Sequence, residues 1–327
     1  MNLNKQETLL VGTNNGLIVF QKNQVMDEWD VLGRFLGGNW ISSIEKQNDY
    51  IVMTSKEGRV SKLSLDDFEI ITQDMFDFRL WFSHEVSPGV TAFGGSKDGL
   101  YFEKSKSAEY VSLAAIGNER KRWKSHSGNS AHFNTMINNP KKLGELFMSI
   151  EEGGVVKSEN NGKNWEDITY NLNPDVHTIC FGMDNNLYAS TGVGIYRYLE
   201  KKMEWERFGF GFNSYCQALV YDDINERLVV SYADTPFGRV SNGLFSYTSE
   251  KNNFGVCSIE RNGSCSIILS SEKLKSGILS KSLSKMGNFL VASTVVGTLY
   301  EIDGNNAKKL FDVDENCLVE CVFYYAK

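Results

Sequence analysis

One pattern governs what this chain can fold into: an apolar strand, a short polar or glycine turn and a second apolar strand recur along its length. The copies read TLLVGTNNGLIVF from Thr8, YIVMTSKEGRVSKL from Tyr50, VTAFGGSKDGLYF from Val90 and ELFMSIEEGGVVKS from Glu145. They continue as NLYASTGVGIYRY from Asn186, RLVVSYADTPFGRVSNGLFSY from Arg227 and FLVASTVVGTLYEI from Phe289. One turn glycine per copy (Gly16, Gly58, Gly99, Gly154, Gly194, Gly243 and Gly297) marks intervals of 42, 41, 55, 40, 49 and 54 residues. A unit repeated at this period cannot bury its apolar face alone, so the copies must pack on one another.

Each unit also carries a strand before its cassette, such as WISSI from Trp40 or VHTICF from Val176, and one after it, such as FEIITQ from Phe68 or WERFGF from Trp205. Four strands per unit predict an all-β chain folded as a seven-bladed β-propeller. The blade cassettes are placed near 8–36, 40–74, 80–116, 130–170, 176–210, 214–260 and 277–315 of a single domain. Only seven residues precede Thr8, so the first cassette lacks its innermost strand, while CLVECVFYY over 317–325 is a strand without a cassette. The C-terminal strand is therefore expected to complete the first blade, removing two open sheet edges.

Composition narrows the class further. The 327 residues include 29 Gly but 4 Pro, with 20 Phe, 14 Tyr and 6 Trp, which suits many short strands joined by glycine turns. A chain this long buries enough surface to need no disulfide or metal. No run approaches the ~18 apolar residues of a membrane span, and MNLNKQETLLVGTNNG reaches turn residues before an export signal could form, so a cytoplasmic protein without a membrane span is expected. Its 34 Lys and Arg against 41 Asp and Glu leave a formal charge of −7, which disfavours nucleic acid as a partner. Cys180, Cys216, Cys257, Cys265, Cys317 and Cys321 form no Cys-x-x-Cys pair and have no His at zinc-ligand spacing, so no metal is expected. Cys317 and Cys321 read as small apolar residues facing one way on a strand. Neither a GxGxxG nor a Walker pattern occurs, and no cofactor is expected.

The fourth unit holds the most specific motif. Ser158, Asn160, Gly162 and Trp165 follow the pattern Ser-x-Asp-x-Gly-x-x-Trp with Asn in place of Asp. A hairpin of this kind needs a glycine for positive φ, an Asn or Asp to bond backbone groups across the turn, and an aromatic ring to cover it. With Asn139-Pro140, Leu146-Phe147 and Gly154 upstream, the segment resembles the Asp-box or BNR repeats of sialidase-like and photosystem-assembly-factor-like propellers. The other units are degenerate, the fifth keeping Trp205 and the first Trp29. The resemblance implies a fold and a structural role for the box, on a hairpin between third and fourth strands and away from the ligand face; fold alone does not carry function.

In such a blade the second-to-third and fourth-to-first connections share one end, the usual ligand face, and function concentrates on loops held by a rigid scaffold. Two connections are enlarged: 116–133 and 233–243. The first sets Arg120, Lys121, Arg122 and Lys124 around Trp123, a basic cluster in an acidic protein, suited to an acidic protein or ligand, although a short charge run also serves simply to keep a loop solvated. Arg79, His177 and Arg239 are the alternative candidates at the channel mouth. A sialidase would carry Phe-Arg-Ile-Pro early in the chain; the nearest match, Phe78-Arg79-Leu80-Trp81, departs at its last two positions, and Arg79 reads equally as an ion pair with Asp77 or Glu85. Asp222, Asp223, Asn225 and Glu226 precede a second strand and read as a hairpin cap on the opposite face. His84, His126, His132 and His177 stand in no recognisable nucleophile motif, and His177 reads as a hydrogen-bonded core residue. The sequence thus points to a non-catalytic binding or assembly scaffold, the alternative being a glycoside hydrolase whose paired carboxylates flank the channel.

Overall fold

The computed structural model describes residues 6–47, 50–96, 99–104, 107–112, 131–209, 214–234, 253–274, 276–279, 281–314 and 317–326. The described strands form seven four-stranded antiparallel sheets, the blades of a seven-bladed β-propeller. The chain divides into two compact units, Ser42–Phe208 and Met1–Ile41 with Gly209–Lys327.

The first of these units contains four blades in chain order. Blade 2 comprises β4 (Ile41–Gln47), β5 (Tyr50–Ser55), β6 (Arg59–Ser64) and β7 (Ile70–Met75), and blade 3 comprises β8 (Leu80–Ser87), β9 (Val90–Gly95), β10 (Gly99–Lys104) and β11 (Ser107–Ser112). Blade 4 is β12 (His132–Asn138), β13 (Leu146–Glu151), β14 (Gly154–Ser158) and the two-residue β15 (Glu166–Asp167); blade 5 is β16 (Val176–Phe181), β17 (Leu187–Thr191), β18 (Gly194–Leu199) and β19 (Glu204–Phe208). Their central strands are buried on both faces, as the continuous apolar cassettes require. Neighbouring blades share cores: Phe82, Leu100 and Phe102 pack with Phe133, Leu146 and Val156, and Phe147 and Val155 with Val176, Ile179 and Trp205.

The second unit holds three blades. Blade 1 is β1 (Glu7–Thr13), β2 (Gly16–Asn23) and β3 (Glu28–Phe35), joined on its inner side by β28 (Val319–Ala326). The expected closing strand therefore pairs antiparallel with β1, setting Leu9 opposite Tyr324 and Val11 opposite Val322. Cys321 is buried on it, whereas Cys317 precedes the strand and is half-buried, so the two do not form the expected same-face pair. None of the six cysteines forms a disulfide among the described residues. Blade 6 is β20 (Tyr215–Asp222), β21 (Arg227–Ala233), β22 (Phe254–Ile259) and β23 (Cys265–Ser270); blade 7 is β24 (Leu283–Met286), β25 (Phe289–Ser293), β26 (Thr298–Asp303) and β27 (Asn306–Asp312). In blade 6 the strand that pairs with β21 is Phe254–Ile259 rather than the GLFSY segment of the cassette, and residues 235–252 lie outside the described residues.

A recurring device locks the innermost strands. In blades 4, 5 and 6 the first strand is bulged, and the displaced N–H of Thr135, Thr178 or Ala218 donates to a serine hydroxyl of the second strand, Ser149 (3.2 Å), Ser190 (3.1 Å) or Ser231 (2.8 Å). The bulge leaves a buried donor without a ladder partner, and a small hydroxyl residue satisfies it where an apolar one could not. The three serines occupy equivalent places in FMSIE, YAST and VVSYA.

At the opposite end of the blades the first-to-second turns are tied by charge. Asp222 accepts the Asn225 N–H (3.2 Å) and the Arg227 Nε (3.2 Å), and the buried Arg227 guanidinium reaches on to the Gly304 carbonyl and the Asn305 side chain of blade 7. The acidic run at 222–226 thus caps a hairpin on that face. The box of blade 4 lies at the same end of its own blade, between β14 and β15. Ser158 Oγ accepts the Gly162 N–H (2.9 Å) and donates to Asn160 Oδ1 (3.1 Å), which also accepts the Asn164 N–H (2.8 Å). Trp165 Nε1 donates to the Gly162 carbonyl (2.9 Å), closing the turn under the ring.

Candidate functional site

The structural duties of the blades are discharged in their strands and at the end that carries the box. The other end of blade 4 is built differently. There the β13–β14 turn, with Glu152 and Gly153, faces the connection 168–175 leading from β15 to β16, and between them lies a cleft of about 570 Å³. Its walls are held by the backbone: Gly154 N–H donates to the Pro174 carbonyl (3.0 Å), Leu172 N–H to Thr169 (2.8 Å) and Trp205 N–H to Tyr170 (3.1 Å). Thr169 Oγ1 accepts the Val155 N–H (3.2 Å), and Leu172 is buried beneath. The cleft is also lined by Glu152, Asp167, Asn171 and Tyr170, the last 68% exposed. Among the described residues no Lys or Arg lines it. Glu152 and Asn171 both hold left-handed backbone, at φ 54° and 65°. Such conformations cost about 1–3 kcal/mol and persist only where the surroundings impose them.

Nearby on the same end, imidazoles meet carboxylates. His132 Nδ1 lies 2.9 Å from Glu151 Oε2, and His177 Nε2 lies 3.1 Å from Asp175 Oδ1, with His177 buried. The Trp81 ring stands 5.2 Å from that of His132, and the Lys56 ammonium lies 5.1 Å above the Trp81 ring. Burial by itself would raise the Glu151 carboxyl, but the hydrogen bond from His132 and the positive fields of His132 and His177 outweigh it and hold the group below the usual carboxylate range. Glu151 is therefore ionised at neutral pH. A glycosidase pairs one ionised carboxylate with a second carboxyl kept protonated.

The sequence candidates fall in different places. Arg120, Lys121, Arg122, Trp123 and Lys124, and likewise Arg239, lie outside the described residues. Arg79 is exposed just before β8, its backbone N–H donating to Ser96 Oγ (3.2 Å), and among the described residues it forms no ion pair with Asp77 or Glu85. His177 is a core residue held beside Asp175, on the innermost strand where it was expected. Among the described residues, no group of three or more His, Cys, Asp or Glu could share a metal ion. Among the described residues no helix is long and apolar enough to cross a membrane. Sequence reading missed the cleft and the pairing of His132 with Glu151. The first had a usable signal in TYNLNPD over 169–175, a connection with an aromatic and a proline. The second comes from cross-strand register, which sets His132 opposite Glu151.

No family model matches the chain, and no curated protein matches it. Solved structures do. The extracellular domain of a hybrid two-component system from B. thetaiotaomicron aligns with a TM-score of 0.59 at 15% identity, over 84% of this chain and 33% of that one. The dihydro-heme d1 dehydrogenase NirN aligns at 0.60 with 8% identity, over 94% of this chain and 64% of that one. A chain of the mitotic checkpoint complex aligns at 0.58 with 11% identity, over 88% and 81%. The chain thus spans about a third of the length of the first of these. At such identities the likeness is one of fold.

Proposed function

We propose that this chain is a non-catalytic binding or assembly module, and that its contact surface is the end of the blades carrying the second-to-third turns and fourth-to-first connections. The observation that carries the reading is the cleft of blade 4, whose backbone is fixed by the fold while Glu152, Asp167 and Tyr170 are presented around it. A surface already fixed in shape loses little entropy on association. The neighbour from the mitotic checkpoint complex is a propeller found in a protein assembly, which fits this use of the fold. The box of blade 4 supports kinship with the Asp-box propellers, and six cysteines outside any disulfide suit a cytoplasmic setting. Arg120, Arg122 and Trp123, with Lys121 and Lys124, belong in sequence to the connection between β11 and β12, and extend the proposal to an acidic protein or ligand.

The test is affinity capture from cell extract with the wild-type chain, the Arg120→Ala/Arg122→Ala/Trp123→Ala variant, and Ser158→Ala at the opposite end. Partners lost by the triple variant and kept by Ser158→Ala are expected, with the triple variant melting near the wild-type temperature. Identical partner sets for all three proteins would refute the assignment of the face.

A further inference from the structure

Burial sorts the described methionines into two groups. Met53, Met136, Met148, Met183 and Met286 are at most 4% exposed, whereas Met26, Met75 and Met203 are 65%, 61% and 60% exposed. A thioether is oxidised only where an oxidant reaches its sulfur, so the second group holds the candidates. Their nearly equal exposure leaves any difference between them to local chemistry. Met26 lies in the β2–β3 turn and Met203 in the β18–β19 turn, third-to-fourth turns like the one that carries the box. Met75 instead closes the fourth strand of blade 2, beside the β5–β6 turn. Register sets it opposite Arg59, whose Nε donates to Met75 Sδ at 3.4 Å. The backbone fixes the pair: Arg59 N–H donates to Ser55 Oγ (3.2 Å), and Phe76 N–H to the Gly58 carbonyl (2.6 Å). Among the described residues Arg59 makes no ion pair, so its remaining N–H donors stand beside the sulfur with no carboxylate to hold them.

We propose that Met75 is a site of oxidation by hydrogen peroxide and that Arg59 accelerates the step. The sulfur lone pair forms an S–O bond to one peroxide oxygen as the O–O bond breaks. The second oxygen departs as hydroxide with that bond's electron pair and takes up the proton of the transferred hydroxyl. One methionine sulfoxide and one water result; the sulfur has lost the two electrons that the peroxide gained. Negative charge develops on the departing oxygen, where the Arg59 N–H groups stabilise it. Met26 and Met203 have no such donor among the described residues. The sulfoxide oxygen is a stronger acceptor than the thioether it replaces, so Arg59 then bonds oxygen in place of sulfur. This happens at the end of the blade assigned to partner contact, but the chemistry does not depend on that assignment.

The full chain is treated with hydrogen peroxide at neutral pH and digested at intervals, and the mass gain of one oxygen is followed at each methionine. Met75 should oxidise about threefold faster than Met26 and Met203, the size of effect expected of one charge-assisted donor at an exposed site. The five buried methionines should lag all three by more than about tenfold, and the same lag in a variant reports that it is folded. Arg59→Gln should bring Met75 down to the rate of Met26 and Met203 and leave those two within about twofold of wild type. If Met75 oxidises no faster than the other two in the wild-type chain, the proposal is overturned. It is overturned equally if Arg59→Gln leaves the rate at Met75 unchanged or raises it. Neither result bears on the capture experiment with the Arg120 variants, so the oxidation site and the contact face are tested separately.

Discussion

Two buried serines of blade 6 make a sharp test of how the blades are held together. Ser231 on β21 is 2% exposed; its hydroxyl accepts the Ala218 N–H at 2.8 Å and donates to the Ile278 carbonyl at 3.1 Å. Replacing it by alanine orphans a donor on a fully buried residue and an acceptor on a nearly buried one. Each lost partner costs about 1–3 kcal/mol where water cannot substitute, the carbonyl less because it has a second lone pair, so Ser231→Ala should destabilise by about 2–3 kcal/mol. At roughly 2.1 cal/mol/K of unfolding entropy per residue, that is a fall of about 3–4 °C in Tm for a chain of this length unfolding cooperatively. Ser258 on the adjacent β22 is fully buried too, but its hydroxyl has no hydrogen-bond partner among the described residues. Removing an unsatisfied hydroxyl relieves a desolvation cost, so Ser258→Ala should be neutral or stabilising by up to about 1 kcal/mol. Chemical denaturation of the two variants beside wild type decides it. If Ser231→Ala unfolds within about 0.5 kcal/mol of wild type, or Ser258→Ala proves the more damaging of the pair, the bulge-lock reasoning is wrong.

Two further outcomes follow from other parts of the molecule. At the box hairpin, Gly162 holds φ +83°, and a Cβ there would stand 2.6 Å from the Phe102 ring, so Gly162→Ala should lower stability by at least about 2 kcal/mol in a thermal melt. The Glu151 carboxyl, held below its ordinary value, contributes stability that is present above the unfolded value near 4.5 and is lost as pH falls through the lowered one. The stability gap between wild type and Glu151→Gln should therefore be open at pH 7 and narrow by pH 3; a gap that widens on acidification would contradict the assigned pairing with His132.

How far the sequence reaches is visible at individual residues. Strand alternation, glycine turns and the 40–55-residue interval suffice to place seven four-stranded blades, because each signal is local: a strand's period and a turn's φ depend on neighbours in the chain. The hydrogen bonds that join Ser158, Asn160, Gly162 and Trp165 to the turn are local for the same reason, each spanning at most four residues. The pairing of β28 with β1 followed from counting strands, a topological argument that needs no side chain.

What escaped the sequence depends on register and on approach across space. His132 and Glu151 lie nineteen residues apart and meet only because β12 and β13 pair in one particular frame. The bulges that demand Ser149, Ser190 and Ser231 are invisible until a ladder slips by a residue. The cleft beside Tyr170 exists only where the β13–β14 turn and the connection 168–175 come together, one contributing Glu152 and the other Asn171 and the ring, with Asp167 at the end of β15. The amino-acid order determined the strands and their number, since those follow from short-range periodicity; the tertiary structure alone decided which charges face one another, since electrostatic and hydrogen-bond partners are chosen by distance through space and not along the chain.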